Sequence, residues 1–162
     1  MKETKNKMSF VIAHIGDPMD IDSIDILPGE DGLEIKTFQS EKEAYHYLQS
    51  IGTVILNRVK NKRFPNTICK VIHQGVYWQD NPVRDMCQFS YWCDGRTEKY
   101  KDIKALSRIL RLAKIILSGI IVKTLDRATH YHASYVSPGW ANDKQFKFIT
   151  QIGKHIFYVD LR

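Results

Sequence analysis

One stretch of helical periodicity constrains this chain more than any other feature of its sequence. Apolar side chains recur at helical spacing between residues 44 and 59: Ala44, Tyr47, Leu48, Ile51, Ile55 and Val59. Just before them, Ser40 and Glu43 occupy the two positions of a capping box, in which a serine caps the helix and a glutamate reaches back to the cap. The pattern predicts an amphipathic helix from Ser40 to about Lys60 that buries its apolar face.

The rest of the chain carries both helix and strand signals. A long helix from Tyr100 or Asp102 to Ser118 has an apolar stripe and ends at Gly119. A short helix over residues 65–72 opens with a proline. We predict strands over residues 9–15, 34–38, 146–152 and 155–161, the last two forming a hairpin, and a long irregular loop over 75–87. This order predicts an α+β fold that is mainly helical, with a C-terminal β-hairpin.

Charge is distributed unevenly along the chain. Residues 1–50 hold five Lys and ten Asp or Glu, whereas the remainder holds 19 Lys or Arg and eight Asp or Glu. We therefore expect an acidic extension or small docking module over residues 1–40, followed by one basic domain over 41–162. A basic body suits an anionic partner such as nucleic acid, a membrane surface or an anionic wall polymer, or it is simply a solvated surface. Nucleic-acid motifs are absent, so we expect no nucleic-acid partner.

Neither membrane insertion nor standard secretion is expected from the sequence. No window of eighteen consecutive apolar residues occurs. The N-terminus has lysines and a short apolar run, but no small-residue cleavage site of the kind that ends a signal peptide. We expect a protein that is made in the cytoplasm and reaches any outside target by another route.

Polar aromatic side chains crowd the last third of the chain. His130, Tyr131 and His132 are consecutive, and Trp140 and His155 follow. A ring with one polar end can pack and hydrogen-bond at the same time, as surfaces that bind sugars and peptides do. Because His130 and His132 are two apart on a predicted strand, they are expected on one face. The alternative is a β-hairpin whose rings simply face outward.

Five short motifs occur in one order along the chain. They are Val54–Val59 (VILNRV), Phe64–Cys69 (FPNTIC), Gln88–Gly95 (QFSYWCDG), Ala128–Ala133 (ATHYHA) with Trp140, and Ile152–Tyr158 (IGKHIFY). The series resembles the cell-wall hydrolase family of the spore cortex-lytic enzymes SleB and CwlJ, over about residues 50–158. The resemblance implies a lysozyme-like α+β domain that cleaves the glycan strand of peptidoglycan. In SleB-type members the implied reaction is lytic transglycosylation, with a 1,6-anhydromuramyl product.

The catalytic acid of this family has a changed counterpart here. The family carries its Glu before the Leu-Asn-Arg motif, in a segment resembling Tyr-x-Glu-(Ala/Ser)-Arg-Gly-Glu. Counted back without gaps, the first Glu falls on Gln39 and the second on Glu43, and the Arg-Gly pair is missing. A neutral amide delivers no proton, so the acid is expected at Glu43, or at Glu41 after a small shift. The competing role of Glu43 is that of a capping-box residue. Asp94 is either a second carboxylate or a simple turn residue.

The resemblance and the residue types together give a set of expected substrate-binding side chains. They are Gln88, Ser90, Trp92, Asp94, His130, Tyr131, His132, Trp140 and His155. Asn57 and Arg58 are better explained as structural, bridging the helix to the core. No metal or cofactor is expected. The alternative is zinc held by His130 and His132 together with His155 or Cys93.

The cysteines leave their pairing open. Cys69 and Cys93 both lie within family-like motifs, which favours a structural disulfide between them if the protein works outside the cytoplasm. This pairing would leave Cys87 over. The other possibility is that all three are thiols.

Three functions remain after these observations. The first is a peptidoglycan lytic transglycosylase or muramidase, phage-encoded or virion-borne or a spore protein, with residues 1–40 docking it to a virion or spore partner. The second is a catalytically inactive descendant that binds peptidoglycan or builds a particle, which Gln39 favours. The third is a metal-dependent amidase, which requires the zinc site.

Overall fold

The computed structural model describes residues 41–93, 95 and 103–162, apart from the side chains of 41–44, 90, 91, 103–106 and 109. The acidic segment 1–40, its two predicted strands and the Ser40 cap lie outside the described residues.

Helix α1 (Glu41–Lys60) confirms the predicted helix but is enclosed far more completely than an amphipathic helix. Of the twelve residues from Tyr47 to Arg58, all but Gln49 and Leu56 are buried. Polar residues in such a helix need partners, because an unpaired polar group in the interior costs free energy. The hydroxyl of Ser50 donates to the His46 carbonyl at 2.7 Å. That of Thr53 donates to the Gln49 carbonyl at 2.8 Å.

Helix α2 (Ile68–Ile72) begins three residues later than the predicted start at Pro65. The reason is the cap: Thr67 has extended backbone angles, and its side chain accepts a hydrogen bond from the Lys70 amide at 3.3 Å. A threonine cap fixes a helix start more strongly than an upstream proline does.

Helix α3 (Ile103–Leu117) confirms the second predicted long helix and packs against α1. The contact depends on Gly52, since a Cβ there would lie 2.8 Å from Cδ1 and 3.0 Å from Cγ2 of Ile116. Gly119 follows the helix with a φ of +90°, a conformation that glycine adopts without strain.

Residues 75–87 form a β-hairpin, so the predicted irregular loop was wrong. Strand β1 (Gly75–Trp78) pairs antiparallel with β2 (Asn81–Cys87). The connecting residues Gln79 and Asp80 have φ values of 47° and 65°, which is the left-handed geometry of tight hairpin turns. The sequence hides this turn because it lacks the Asn-Gly or Asp-Gly pair that usually signals one.

A three-stranded antiparallel sheet completes the fold. Strand β4 (Phe146–Ile152) and β5 (His155–Asp160) form the predicted hairpin, and β3 (His130–Ala133) pairs with the other edge of β5. The α+β class is therefore confirmed, with a sheet one strand larger than the hairpin. None of the helices in the described ranges is long and apolar enough to cross a membrane.

The register of the sheet separates its two faces. His130 is paired with Tyr158, Tyr131 with Phe157, and Ala133 with His155. Directly paired residues share a face of the sheet. His130 and His132 therefore lie on one face, and Tyr131 and His155 lie on the other. Phe157 is fully buried and packs with Val54 of α1. The face that carries Tyr131 and His155 is therefore the one that covers α1.

Asn57 and Arg58 tie α1 to the chain that leads into β3. The Asn57 side-chain amide donates to the carbonyls of Leu125 at 2.7 Å and Ala128 at 2.8 Å. The Arg58 Nε donates to the Thr129 carbonyl at 2.7 Å. These bonds confirm the structural role expected for both residues. They also fix β3, and with it the histidines, relative to α1.

Replacing Asn57 by alanine should therefore destabilise the fold strongly. Asn57→Ala removes the side-chain donor to the Ala128 carbonyl, whereas the Leu125 carbonyl keeps the Ala128 amide as a second donor at 3.0 Å. The loss should cost about 1–3 kcal/mol in the free energy of unfolding. Urea denaturation of this variant, beside an Asn142→Ala control at an exposed position, measures the difference. An Asn57→Ala variant as stable as that control would contradict the anchoring role.

Candidate functional site

A cleft opens between α1 and the sheet, with a volume of about 260 Å³. We call it the α1 cleft. Its walls come from α1 (Tyr47, Ile51), the end of β2 (Cys87, Gln88), β3 and the following turn (Tyr131, His132, Ala133, Tyr135, Val136) and β5 (His155). Four of the expected binding residues thus line this cleft. They are Gln88, Tyr131 and His155, and also His132, although its strand position puts it on the other face of the sheet from Tyr131 and His155.

His155 lies at the base of the α1 cleft between two tyrosines. It is buried, and its Nε2 lies 3.4 Å from the Tyr47 hydroxyl. Its ring also contacts the ring of Tyr131, with centroids 5.6 Å apart. Burial raises the pKa of Tyr131 to about 12, so its phenol stays protonated at neutral pH. The cleft therefore presents neutral hydroxyl groups, which suit hydrogen bonding to sugar hydroxyl and amide groups.

Glu43 lies on α1 one helical turn before Tyr47. Residues four apart share a helix face, and Tyr47 and Ile51 both line the cleft. The backbone thus places position 43 on the cleft-lining face of α1, next to its N-terminal end. The side chain of Glu43 is outside the described residues, as is that of Glu41.

A second cavity of about 370 Å³ adjoins the first. We call it the arginine pocket; it is lined by Arg63, Phe64, Gln74, Gln88, His130, Asp160 and Arg162. Gln88 lines both cavities. Sequence reasoning missed Arg63, Asp160 and Arg162, because nothing in their local pattern signals that the chain end returns to the turn after α1.

Asp160 is the buried anion of the arginine pocket. Arg162 Nη2 donates to its Oδ2 at 2.7 Å, and Arg63 Nη1 donates to the same oxygen at 2.9 Å. The hydrogen bonds from Arg162, with a smaller contribution from Arg63, hold the pKa of Asp160 well below its usual range although burial opposes them. Asp160 therefore stays ionised and cannot deliver a proton to a leaving group.

Gln88 is held in place by a disulfide and a hairpin. Its backbone amide donates to the Gln74 carbonyl at 2.8 Å, across the base of the β1–β2 hairpin. Cys87 and Cys93 form a disulfide with Cα atoms 6.2 Å apart, and Phe89 between them is buried. The expected Cys69–Cys93 pairing was wrong, because the hairpin brings Cys87 to Cys93 instead. Gly75 permits this closure, since a Cβ there would lie 3.0 Å from the Cys87 Cα.

His130 is a neutral imidazole inside a basic environment. Burial, and next the nearby Arg58 charge, lower its pKa to about 4. Its Nδ1 lies 3.0 Å from the Thr129 hydroxyl, which fixes the ring. At neutral pH this side chain therefore hydrogen-bonds without carrying charge.

His130 and His132 share one face, as the strand spacing predicted. Both rings contact Trp140, with centroids 5.4 Å and 5.6 Å apart. The His132 Nε2 also lies 3.0 Å from the Tyr158 hydroxyl. Trp140 supports the two histidines and lines neither cavity.

The zinc alternative is not supported by this geometry. His155 lies on the opposite face of the sheet from His130 and His132, and the Cys93 sulfur is in the disulfide. Within the described part of the chain, no three His, Cys, Asp or Glu residues are grouped so that they could hold a metal ion.

The remaining expected residues lie elsewhere or outside the described set. Trp92 stacks on His73 with centroids 3.6 Å apart and donates from Nε1 to the Tyr77 hydroxyl at 3.0 Å. It therefore supports the hairpin, and it lines neither the α1 cleft nor the arginine pocket. Ser90 lies in a short 3-10 helix, and its side chain is among those not described. Asp94 is outside the described residues.

Comparison with known proteins assigns the family. The family model described as Cell Wall Hydrolase matches residues 42–158. The chain belongs to this family. This family consists of enzymes that cleave the cell wall, and their general substrate is peptidoglycan.

The fold is similar to that of a solved relative. The catalytic domain of the germination-specific lytic transglycosylase SleB from Bacillus anthracis matches with a TM-score of 0.53 and 20% identity, over 98% of this chain and 96% of that chain. This similarity confirms the lysozyme-like α+β fold predicted from the sequence. No curated protein is similar enough in sequence to count as a match.

The low pKa of His130 should make stability depend on pH. The unfolded chain binds a proton at His130 near pH 6.5, but the folded protein does so only near pH 4. The unfolded state therefore holds more protons between these values, and stability falls as pH drops from 6.5 towards 4, by at most about 1.4 kcal/mol per pH unit. His130→Gln should flatten this slope in urea denaturation at a series of pH values. The exposed His46→Gln control should keep it, and equal slopes in the two variants would contradict this role.

The disulfide can be checked by peptide mapping. Chymotrypsin cuts after Phe89 or Trp92, so an unreduced digest should contain one linked fragment that joins Cys87 to Cys93. Cys69→Ser should retain that fragment. Cys87→Ser should lose it and also about 2 kcal/mol of stability, the loop-closure contribution of so short a bridge. A fragment joining Cys69 to Cys93 would contradict the structure.

Proposed function

We propose that this protein cleaves the glycan strand of peptidoglycan by lytic transglycosylation, with Glu43 as acid and base. The observation that carries the proposal is the α1 cleft. This cleft brings together Gln88, Tyr131 and His155, which come from three separate motifs. They lie across from the face of α1 that also holds position 43. The fold similarity to a lytic transglycosylase catalytic domain supports the same reaction.

A single carboxyl group is enough for this chemistry. The protonated acid gives its proton to the glycosidic oxygen as the bond to the anomeric carbon breaks. The resulting carboxylate then takes the proton of the substrate's own 6-hydroxyl group, whose oxygen closes the anhydro ring. Such an acid must be protonated near neutral pH, which apolar surroundings favour. The cleft supplies such apolar surface. Tyr47 and Ile51 lie one and two turns after position 43 on α1, and the ring of Tyr131 faces α1 from the sheet.

The other cleft residues have positioning and binding roles in this proposal. The Tyr131 phenol and the Gln88 amide are suitable hydrogen-bond partners for sugar hydroxyl and N-acetyl groups. His155 holds Tyr47 and Tyr131 in place rather than touching the glycan, because it is buried beneath them. The protein would act at the cell wall, as a lysin, virion component or spore protein, with the acidic residues 1–40 as its docking segment.

The competing proposal is a non-catalytic peptidoglycan-binding protein of the same family. Gln39 at the position of the family's first Glu favours it. Both proposals use the α1 cleft, so only the chemistry separates them.

The decisive experiment compares Glu43→Gln with its near neighbour Glu41→Gln. We expect the unaltered protein to release anhydromuropeptides from purified peptidoglycan, as identified by mass spectrometry. Glu43→Gln should lower the rate at least about 100-fold, the usual contribution of general acid–base catalysis. Glu41→Gln should keep most of the activity.

Each other result selects a different mechanism. Loss of activity in Glu41→Gln alone would move the acid to Glu41. Reducing-end muropeptides would indicate a muramidase, and released stem peptides an amidase. No product together with retained binding to intact walls would establish the non-catalytic protein.

A further inference from the structure

The arginine pocket takes no part in the cleavage chemistry proposed for the α1 cleft. We propose that it binds a carboxylate of the peptidoglycan stem peptide, together with a neighbouring peptide amide. This inference rests on the proposed function, since it takes peptidoglycan as the ligand. It adds that the protein reads the peptide as well as the glycan.

The pocket carries more positive charge than its own anion neutralises. Arg63 and Arg162 line it, and Arg58 lies behind Phe64 with its guanidinium carbon 4.9 Å from that ring's centre. The buried carboxylate of Asp160 is the single acidic group among the described pocket residues. The lowered pKa of His130, to which all three arginines contribute, reflects the same local charge. An anionic ligand is therefore the favoured occupant.

Both lining guanidinium groups keep donors beyond those used by Asp160. Each has five N–H donors. Arg63 is bonded to Asp160 through Nη1, and its side chain is 34% exposed. Arg162 is bonded to Asp160 through Nε and Nη2, and its side chain is 57% exposed. Asp160 thus orients two guanidinium groups toward one pocket, which is an arrangement that suits binding of a second carboxylate.

Gln74 supplies the second half of the recognition. It lines the pocket, and its Oε1 is buried with no hydrogen-bond partner among the described residues. A buried acceptor without a donor costs free energy, and a ligand N–H can supply that donor. A carboxylate beside an amide N–H is the chemistry of a peptide. Inorganic phosphate and a phosphodiester polymer lack the amide.

The position of the pocket fits this ligand. Gln88 separates the arginine pocket from the α1 cleft and lines both. A stem peptide is attached directly to the glycan strand, so a strand in the α1 cleft brings the peptide's carboxylates to the neighbouring cavity. The Thr129 hydroxyl accepts a hydrogen bond from the Asp160 amide at 3.3 Å and so joins the start of β3 to the end of β5. This bond fixes the distance between the α1 cleft and the arginine pocket.

The test measures binding of a soluble probe that does not depend on cleavage. The probe is N-acetylmuramyl-L-alanyl-D-glutamate, compared with its diamide, which has the same shape without the carboxylates. Titration by NMR should give a Kd about tenfold lower for the acid than for the diamide. Arg162→Gln should weaken binding of the acid about tenfold and leave the diamide unchanged. Arg111→Gln, an exposed arginine of α3, makes the same change in net charge and should alter neither.

A second variant guards against simple unfolding. Gln74→Met keeps the side-chain length and removes the buried acceptor, so the melting temperature should not fall. Its binding of both the acid and the diamide should still weaken. If Arg162→Gln lowers the melting temperature, the Gln74→Met result decides.

The outcomes separate this inference from the proposed function. No binding of the probe, equal binding of acid and diamide, or an Arg162→Gln variant that binds as tightly as the unaltered protein would overturn it. Competition by inorganic phosphate at the probe's own concentration would overturn the assignment to a peptide. Selective binding without any cleavage of peptidoglycan would support the pocket and reject the enzyme. Cleavage without selective binding would do the reverse.

Discussion

Enclosure of α1 is the constraint on which the rest of the structure depends. The polar side chains of a helix that is buried on nearly all sides cannot hydrogen-bond to water. Asn57 and Arg58 therefore donate to carbonyls of the neighbouring backbone. Those bonds end on the carbonyls of residues 125, 128 and 129 and so hold the start of β3 against the helix. The hydrogen bonds that satisfy these buried donors therefore also set the distance between α1 and β3.

The position of Gln88 follows from local covalent and steric restraints. The β1–β2 hairpin returns the chain to its starting point, and Gly75 lets the two ends approach closely. The Cys87–Cys93 disulfide then closes a short loop around Phe89, which is buried in the core beside α1. Gln88 lines both cavities and needs such restraint, because a shift of this loop by one residue would turn the Gln88 amide away from both of them.

Electrostatics divide the site into two unlike halves. In the arginine pocket Asp160 remains ionised between two guanidinium groups, and His130 remains neutral because it is partly buried beside positive charge. The α1 cleft has no Asp, Glu, Lys or Arg among its described lining residues, and its Tyr131 stays protonated well above physiological pH. An acid that must hold its proton is better served by this cleft, whereas an anionic substituent is better served by the pocket. This division is the physical basis for assigning the glycan to one cavity and the peptide to the other.

The sequence by itself determined the local elements whose signals are short-ranged. Periodicity located α1 and α3, the strand signals over residues 146–152 and 155–161 located the β4–β5 hairpin, and five ordered motifs indicated the family. It could not locate the β1–β2 hairpin, whose turn uses Gln79 and Asp80 in place of glycine, nor the disulfide that this hairpin selects. Tertiary structure alone decided that Tyr131 and His155 face α1 while His130 and His132 face away, because strand register is set between distant segments. It also decided that Arg63 and Arg162, which are 99 positions apart, bind the same carboxylate oxygen of Asp160, an arrangement that leaves no trace in local sequence.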